Sequence, residues 1–410
     1  MNDQPDSYDL IIVGGGMVGA SLAIALAGRG LRLALIEAHE PGAETQPSYD
    51  DRAIALAYGT RRIFEALDVW PRLQAVSEPI RDIHVSDRGH FGFTRLHAED
   101  EGVPALGYVV TARELGRVLL GRMAEDAALE VFAPARVVRF DDRGDQVAVE
   151  VERNGVVESL RCRLLVAADG GNSAIREQLD VPVQRWQYGQ SAVVANITPS
   201  RPHGNVAYER FTESGPVALL PMTGERCALV WTVRDEDVEQ TLALEDAAFL
   251  AAFQERFGHR LGRFTRVGRR GAYPLSLLRA RESVRGRVAI IGNAAHTLHP
   301  IAGQGFNLGI RDVAALAEVV VEAQAGDGDL GSPEALAAYE DWRLAEQRNI
   351  ALATDGLARL FSNPLGLIRA GRNLGLLAME FMPMAKRPLA RAAMGLFGRQ
   401  PRLARGVRLG

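Results

Sequence analysis

Small residues and a polar loop between residues 287 and 312 could hold a flat ring that gains negative charge. An apolar strand is predicted over 288–291, and an apolar-periodic helix is predicted from about 307 to 325. Between them lie Pro300 and a Gly-Gln-Gly run at 303–305, and glycine lets a ligand rest on the backbone because it has no Cβ. The helix start offers unpaired N–H groups with partial positive charge, which would stabilise an anionic ring.

A second glycine-rich turn lies near the start of the chain, within the pattern of a βαβ unit at 8–37 whose helix is predicted to run to about residue 30. The glycines of its G-x-G-x-x-G pattern are Gly14, Gly16 and Gly19. In this pattern the first allows a tight turn, the second lets a pyrophosphate approach the backbone, and the third lets the helix pack against the sheet. Glu37 ends the second strand, where a carboxylate can bond a ribose hydroxyl. The unit predicts a dinucleotide cofactor and leaves FAD and NAD open.

The segment from 287 to 312 resembles the second FAD motif of the aromatic-ring flavoprotein hydroxylases, G-D-A-A-H-x-x-x-P-x-x-G-Q-G-x-N. The matching positions are Gly292, Ala294, Ala295, His296, Pro300, Gly303, Gln304, Gly305 and Asn307. Asn293 stands where most of that family has Asp, and its amide carbonyl can still accept a hydrogen bond from a ribitol hydroxyl. The residues around Asn293 are similar to those of the hydroxylases of ubiquinone biosynthesis in particular. The resemblance implies FAD, with Asn293, Gly303, Gln304, Gly305 and Asn307 among the residues that bind it.

Three charged residues match further cofactor contacts of that family. Arg52 resembles an Arg that reaches the cofactor phosphates, which a guanidinium can bind through two parallel hydrogen bonds. Arg113 follows Thr111, a predicted helix N-cap, and resembles an Arg that contacts FAD. Asp169 opens a D-G-x-x-S-x-x-R motif that ends at Arg176 and that in the family serves FAD and a passing nicotinamide. The alternatives are a solvated loop charge for Arg52, a surface salt bridge for Arg113 and a structural ion pair for Asp169 with Arg176.

The resemblance also implies a reaction, in which reduced FAD and O2 form a C4a-hydroperoxide that transfers oxygen to an electron-rich phenol ring. Pro300, Gly303 and Gly305 are the candidate catalytic residues, because they would position the flavin. Either His296 or His299 is an alternative candidate for a general base. The expected substrate is a prenylated phenol of ubiquinone biosynthesis, a 2-polyprenyl-6-methoxyphenol. The alternative functions are those of a sister hydroxylase acting at another ring position, a hydroxylase of another small aromatic, a prenyl-lipid reductase, or a non-catalytic scaffold flavoprotein.

The composition and net charge of the chain limit the classes of ligand and partner that are expected. The chain has 410 residues and a formal net charge of −4, which gives no reason to expect nucleic acid. Two cysteines, Cys162 and Cys227, make neither a disulfide framework nor a metal array, so no metal is predicted. The chain has one dinucleotide fingerprint, so NAD(P)H or an external reductase would have to reach the same flavin cleft. The start of the sequence is polar and acidic rather than a signal peptide, which predicts a cytoplasmic protein.

Positive charge accumulates towards the end of the chain, where apolar residues are interleaved. The basic residues after Asp355 are Arg359, Arg369, Arg372, Lys386, Arg387, Arg391, Arg399, Arg402, Arg405 and Arg408, opposed by Glu380. Such a basic amphipathic tail can lie on the inner face of an anionic cytoplasmic membrane. It could also dock on a ubiquinone-biosynthesis protein complex, or cap the substrate domain with a solvated arginine face.

These patterns predict an α/β fold like that of para-hydroxybenzoate hydroxylase, with a Rossmann-like FAD-binding domain, a β-sheet substrate domain and a helical C-terminal region. The predicted segments are 1–72, 101–180 and 276–330 for FAD binding, 73–100 and 181–275 for the substrate domain, and 331–410 for the basic amphipathic helices. Strands of the substrate sheet are expected within 191–233, with additions from about 80 to 98. Phe211, Pro221 and Trp231 would be either pocket walls or core.

Overall fold

A computed structural model describes residues 6–40, 52–298, 303–326, 328–363 and 365–410. In chain order the strands are β1 (Ser7–Val13), β2 (Leu33–Ile36), β3 (Ala53–Ala57), β4 (Glu78–Ile80), β5 (Asp82–Asp87), β6 (Phe93–His97), β7 (Gly107–Thr111), β8 (Leu129–Phe132), β9 (Arg136–Asp142), β10 (Val147–Arg153), β11 (Val156–Ala167), β12 (Val183–Pro199), β13 (Val206–Thr212), β14 (Gly215–Met222), β15 (Arg226–Arg234), β16 (Phe264–Val267), β17 (Gly271–Ala280), β18 (Val284–Arg285), β19 (Val288–Ile290) and β20 (His296–Thr297). The helices are α1 (Met17–Leu26), α2 (Tyr58–Ala66), α3 (Trp70–Gln74), α4 (Ala112–Met123), α5 (Ala174–Gln178), α6 (Val238–Ala243), α7 (Asp246–Phe257), α8 (Gln304–Ala325), α9 (Pro333–Ser362), α10 (Gly366–Phe381) and α11 (Pro383–Ala393).

The first sheet has a parallel centre that is buried on both faces. Its strand order is β18-β19-β11-β1-β2-β8, and β9 and β10 extend it as an antiparallel branch from β11. Leu10 and Ile12 of β1 pack in the same buried cluster as residues of α1 and α8, whereas Ile11 and Val13 pack on the opposite face. Burial on both faces explains why β1 is a nearly continuous apolar run rather than an alternating one.

The second sheet is mainly antiparallel and has helices packed on it. Its order is β20-β17-β12-β15-β14-β13-β5-β6, with β16 paired to β12. The strands predicted within 191–233 and from about 80 to 98 all belong to it. A buried aromatic cluster joins Phe249, Phe253 and Phe257 of α7 to Trp231 of β15, so Trp231 is a core residue. A third, small sheet has the order β3-β7-β4. The architecture confirms the predicted fold class, and the exact domain boundaries stay a prediction.

Two helices differ at one end from their predicted limits. Helix α1 ends at Leu26 rather than near residue 30, because the chain turns through Gly28 and Gly30, which have φ of 70° and 72°. Left-handed φ values of this kind favour glycine and interrupt a helix. Helix α8 begins at Gln304, three residues earlier than the predicted 307, because Gly303 caps it with φ 60° and ψ 28°.

The C-terminal helices cover different parts of the molecule. Ser332 caps α9, since its side chain accepts a hydrogen bond from the N–H of Ala335 at 3.2 Å. Helix α9 packs against α8, which covers one face of the first sheet, whereas α10 packs against β6 of the second sheet. Among the described residues, no helix combines the length and the apolar character needed to cross a membrane.

Candidate flavin site

Loops from four strands of the first sheet meet at one edge. In the sheet register Val13 of β1 is level with Ile36 of β2 and with Ala167 of β11, and Ala167 is level with Ile290 of β19. Because these strands run in parallel, the residues after them emerge side by side. The edge of a parallel sheet beyond the carboxyl ends of its strands is where such folds bind nucleotides. The glycine turn, Glu37, Asp169 and Asn293 each follow one of the four strands, so the structure brings together residues far apart in sequence.

The glycine turn after β1 is sterically tight. Gly14 has φ of 104°, and a Cβ there would lie 2.5 Å from the carbonyl oxygen of Ala168. A Cβ on Gly19 would overlap the carbonyl oxygen of Gly14, which confirms that Gly19 lets α1 approach the turn. Gly16 is the N-cap of α1 and has extended backbone angles, so the unpaired N–H groups of the helix begin directly after it. Its contact with a pyrophosphate stays a prediction.

Glu37 lies against this turn. Its Oε2 accepts a hydrogen bond from the N–H of Gly15 at 2.6 Å, and its Oε1 accepts one from the N–H of His39 at 2.9 Å. The carboxylate is therefore held beside the position at which a cofactor ribose would lie in a dinucleotide fold. That role for Glu37 stays a prediction, and the geometry agrees with it.

The loop after β11 contains a buried carboxylate oxygen that lacks a partner within the described part of the chain. Asp169 Oδ2 accepts a hydrogen bond from the N–H of Ile175 at 3.3 Å, while its buried Oδ1 accepts none. Burial raises the pKa of this carboxyl group. Buried polar atoms nearly always find a partner, so an open acceptor here fits a cofactor hydroxyl or amide.

Arg176 ties two of the loops together rather than pairing with Asp169. Its guanidinium donates to the carbonyl of Ala294 at 2.7 Å and to the carbonyl of Gly171 at 3.0 Å. These bonds join the loop after β11 to the turn after β19. The described contacts therefore favour a structural role for Arg176, through backbone carbonyls instead of the ion pair that was the alternative.

Asn293 is exposed in the turn after β19, in a short 3-10 helix over Gly292–Ala294. Gly292 has φ of 61°, and a Cβ there would lie 3.0 Å from a methyl carbon of Val18 in α1. The turn thus packs closely on α1 while the Asn293 side chain remains available to a ligand. Its bond to a ribitol hydroxyl stays a prediction.

The start of α8 contains a glycine at which a side chain would be crowded and another with free space beside it. A Cβ on Gly303 would lie 3.0 Å from the Cβ of Ala55. A Cβ on Gly305 would meet no heavy atom of the described residues within 4 Å. Gln304 is buried and donates to the carbonyl of Ala393 at 3.4 Å. The free space over Gly305, directly at a helix N-terminus, fits a flat ring. Pro300, like His299, lies outside the described residues.

Asn307 holds the start of α8 in place. Its Oδ1 accepts from the N–H of Ala57 and from the hydroxyl of Thr60, both at 2.8 Å. Its Nδ2 donates to the carbonyl of Ala55 at 2.8 Å and to that of Gly303 at 2.7 Å. The amide has four protein partners, so these contacts support a positioning role. Direct binding of the cofactor by Asn307 stays a prediction.

A buried charged network lies beneath the turn after β19, and sequence reasoning missed most of it. Asp312 Oδ2 accepts from the N–H of Gly292 at 3.1 Å and lies 2.6 Å from Nε2 of His296. Asp312 Oδ1 accepts from Arg343 Nε at 2.8 Å and from Gln347 Nε2 at 3.0 Å. Burial opposes the charge of Asp312, but His296 and Arg343 outweigh it and hold the pKa of this carboxyl well below its usual range. His296 is fully buried, and its contacts support a structural role.

Arg52 and Arg113 emerge from neighbouring strand ends. Strand β3 begins at Ala53, which pairs with Thr111 of β7, and the carbonyl of Arg52 accepts from the N–H of Ala112 at 2.8 Å. Thr111 caps α4 by accepting from the N–H of Glu114 at 3.2 Å, as predicted. The Arg52 guanidinium lies 4.6 Å from the ring centroid of Tyr273. The cofactor contacts of both arginines stay predictions.

A cavity of about 320 Å³ separates the loop edge of the first sheet from the second sheet. Gly171, in the loop after β11, lines it from one side, and Arg185, Gln187, Ser276 and Thr297 of the second sheet line it from the other. A ring placed there would lie between the nucleotide-binding edge and the predicted substrate sheet. Phe211 stacks on Phe361 with the ring centroids 3.6 Å apart, and both are buried. Phe211 is therefore core, not a wall of this cavity.

A protein-family model described as an FAD binding domain matches residues 7–353 of the sequence. The chain belongs to this family and is an FAD-dependent monooxygenase. Solved structures share the fold along nearly the whole chain. The p-nitrophenol 4-monooxygenase PnpA from Pseudomonas putida DLL-E4 has a TM-score of 0.80 at 18% identity, covering 96% of this chain and all of that one. PqsL of Pseudomonas aeruginosa has a TM-score of 0.75 at 24% identity, covering 91% of this chain and all of that one.

Two relatives are more similar in sequence. The ubiquinone hydroxylase UbiL of Rhodospirillum rubrum is 40% identical over 404 residues, which cover 98% of this chain and 93% of UbiL. The 3-demethoxyubiquinol 3-hydroxylase of Escherichia coli is 33% identical over 402 residues, covering 97% of this chain and the whole of that enzyme. Both alignments span the glycine turn, the β19 turn and the start of α8.

Proposed function

We propose that this chain hydroxylates the ring of a polyprenylated phenol during ubiquinone biosynthesis. The observation that carries the proposal is the 40% identity to the ubiquinone hydroxylase UbiL over 98% of this chain. The geometry supports it, because the loop edge of the first sheet, where the nucleotide is proposed to bind, faces a cavity that residues of the second sheet also line.

The residues around the edge fit FAD, and each would act through position and charge. The turn after Gly14 would receive the pyrophosphate at the start of α1, with Glu37 on the ribose. Asn293 would bond the ribitol chain, and Asp169 Oδ1 would accept a hydrogen bond from the cofactor. The start of α8, at residues 303–305, would stabilise negative charge on the ring. When bound and reduced by an electron donor, FAD would supply the two electrons with which, together with two protons, one atom of O2 is transferred to the phenol and the other becomes water.

The ring position proposed is that of a 2-polyprenyl-6-methoxyphenol hydroxylase. A second candidate is hydroxylation at a different position of a later ring, and one observation favours it. The enzyme of E. coli that is 33% identical over its whole length is a 3-demethoxyubiquinol 3-hydroxylase. The two candidates share the cofactor site, so they differ in how the cavity wall orients the ring.

Deletion of the gene tests both candidates at once, with mass spectrometry of the lipid-soluble quinones and their precursors. Loss of ubiquinone with accumulation of a 2-polyprenyl-6-methoxyphenol is the expected result. Accumulation of a 3-demethoxyubiquinol instead would assign the second candidate. Unchanged ubiquinone in a strain that lacks the gene, with no other copy expressed, would refute the proposal.

We further propose that the reductant acts at the same cleft, whether it is NAD(P)H or a reductase protein. Stopped-flow spectroscopy of the FAD-loaded protein under anaerobic conditions distinguishes the two. Bleaching of the flavin by NADH or NADPH alone identifies the nicotinamide as the direct donor. A flavin that bleaches only after a reductase protein is added identifies the external route.

A further inference from the structure

The outward face of α10 is apolar along its whole length. Leu367, Leu374 and Phe381 have exposed fractions of 91%, 59% and 75%. They are spaced seven residues apart, so they lie on one face of the helix. The exposed positions between them are Arg369 and four small residues, namely Ala370, Gly371, Gly375 and Ala378. An apolar face turned to water is the reverse of what a surface helix of a soluble domain presents.

Arg372 and Asn373 of α10 lie on its inward face instead. Arg372 Nε binds Asp87 Oδ2 at 2.9 Å, and both side chains are almost completely buried. Asn373 donates to the same Asp87 oxygen at 2.8 Å and accepts from the N–H of Gly92 at 3.0 Å. These bonds fix the rotation of α10 on the second sheet. The apolar face therefore cannot turn inward without breaking a buried ion pair.

The exposed apolar surface extends beyond α10. Met382 is 55% exposed and Met384, in the first turn of α11, is 87% exposed. Phe91 is 59% exposed in the turn between β5 and β6, next to the glycine whose N–H binds Asn373. We call Phe91, Leu367, Leu374, Phe381, Met382 and Met384 the α10 ridge. Large apolar side chains exposed together on one helix and its flanks mark an interaction site.

The exposed charged side chains of α10 and α11 are all arginines. They are Arg369 on α10 and Arg387 and Arg391 on α11. Glu380, the one carboxylate between residues 366 and 393, is held by Lys386 at 2.9 Å and by the N–H of Arg95 at 2.9 Å. An apolar ridge flanked by arginines complements a surface with anionic groups at its boundary and hydrocarbon beneath it, which is the chemistry of an anionic lipid bilayer.

We infer that the α10 ridge is a membrane-docking surface that lies in the interface of an anionic lipid bilayer. Leu367, Phe381 and Met384 would enter the acyl boundary, while the flanking arginines bind lipid phosphates. Helix α11 would lie beside α10 in the same plane. This inference stands on exposure and charge alone, so it does not depend on the ring position or even on the substrate proposed above.

Vesicle sedimentation with the full-length, FAD-loaded protein tests the inference. The vesicles contain equal parts of phosphatidylglycerol and phosphatidylethanolamine, and pure phosphatidylcholine vesicles serve for comparison. Wild-type protein is expected to bind the anionic vesicles, and added salt is expected to weaken that binding. The L367D/F381D variant is expected to lose at least on the order of a hundredfold in affinity, because two large apolar side chains no longer enter the membrane. The R369E/R387E/R391E variant is expected to lose affinity for anionic vesicles by a similar factor, at about fivefold or more per arginine.

A matched control uses exposed apolar residues elsewhere. Val156 and Val157 are 58% and 57% exposed at the start of β11, so V156D/V157D makes the same chemical change away from the ridge. It is expected to bind vesicles as wild type does. All variants should retain FAD binding and far-ultraviolet circular dichroism, since the altered side chains are exposed.

Three results would overturn the inference. The first is wild-type protein that does not bind anionic vesicles. The second is an L367D/F381D variant that binds them as tightly as wild type. The third is a wild-type dimer, seen by light scattering, that L367D/F381D converts to monomers, because the ridge would then be covered by a second copy of the chain.

Discussion

Replacing Asp312 with Asn should destabilise the protein and loosen the turn that carries Asn293. The carboxylate has four donors, namely the N–H of Gly292, His296, Arg343 and Gln347. An Asn side chain has a single acceptor oxygen, and its NH2 group would face donors. Arg343 is completely buried and would lose one of its two carboxylate partners.

The size of the effect follows from the partners that remain. Breaking a buried ion pair costs roughly 3–5 kcal/mol. The lower end applies here, because Glu346 still binds the Arg343 guanidinium. With an unfolding entropy of about 2.1 cal/mol/K per residue, a chain of this length has about 0.9 kcal/mol/K. A loss of about 3 kcal/mol therefore lowers the melting temperature by roughly 3–4 °C.

Differential scanning fluorimetry of the apo and FAD-loaded protein measures this shift, and flavin fluorescence titration measures FAD affinity. The loss of the Gly292 contact should weaken FAD binding as well as stability. Asp68→Asn is the matched control, since Asp68 pairs with Arg408 with both side chains more than half exposed, and exposed pairs contribute little. If D312N melted within 1 °C of wild type and bound FAD equally well, the buried network would not support the site.

Further predictions test the loop edge of the first sheet, where FAD is proposed to bind. Gly305→Ala should leave the melting temperature of the apo protein unchanged and weaken FAD binding, because its Cβ meets no atom of the part of the chain that the structure describes; a weaker fold with normal FAD affinity would contradict this. Gly303→Ala should cost about 1 kcal/mol in stability because φ is 60°, measurable by urea denaturation. Asn293→Ala should weaken FAD binding in a fluorescence titration, whereas Asn293→Asp should retain it; equal loss in both would argue against a ribitol contact. Because the pKa of Asp312 is lowered from 3.8 in the fold, its contribution to stability is full above about pH 4, the pKa in the unfolded chain, and is lost as pH falls from there through the lower pKa of the folded state; melting curves of D312N should lack this part of the acid dependence.

Glycine patterns were the part of the site that the sequence predicted best. Gly14 and Gly19 meet local steric requirements, and the close approaches in the structure are the ones their spacing predicts. The strands around them could be placed because buried parallel strands are apolar runs. The end of α1 could not, because a helix pattern continued through Gly28 and Gly30, where the backbone turns instead.

The network around Asp312 shows where sequence reasoning stopped. Arg343 and Gln347 lie on α9 and have no local pattern that distinguishes them from surface charges. A signal was present nearby, since Arg311 and Asp312 interrupt an otherwise apolar stretch of α8, and charges in such a stretch need buried partners. Which partners they have depends on how α9 packs on α8, and that is a tertiary fact.

Buried charge in α8 and exposed apolar surface on α10 are both unfavourable unless they are compensated, and the source of the compensation differs. Asp312 and Arg343 are stabilised within the chain, because their partners come from neighbouring helices. Leu367 and Phe381 have no such cover among the described residues, so their compensation has to come from outside the chain. The two features share no residues. Asp312 is on α8, which packs on the first sheet, whereas Leu367 and Phe381 are on α10, which packs on the second. Their effects should therefore be independent. A variant that combines D312N with L367D/F381D should therefore show the melting shift of the first and the loss of vesicle binding of the second, each at full size.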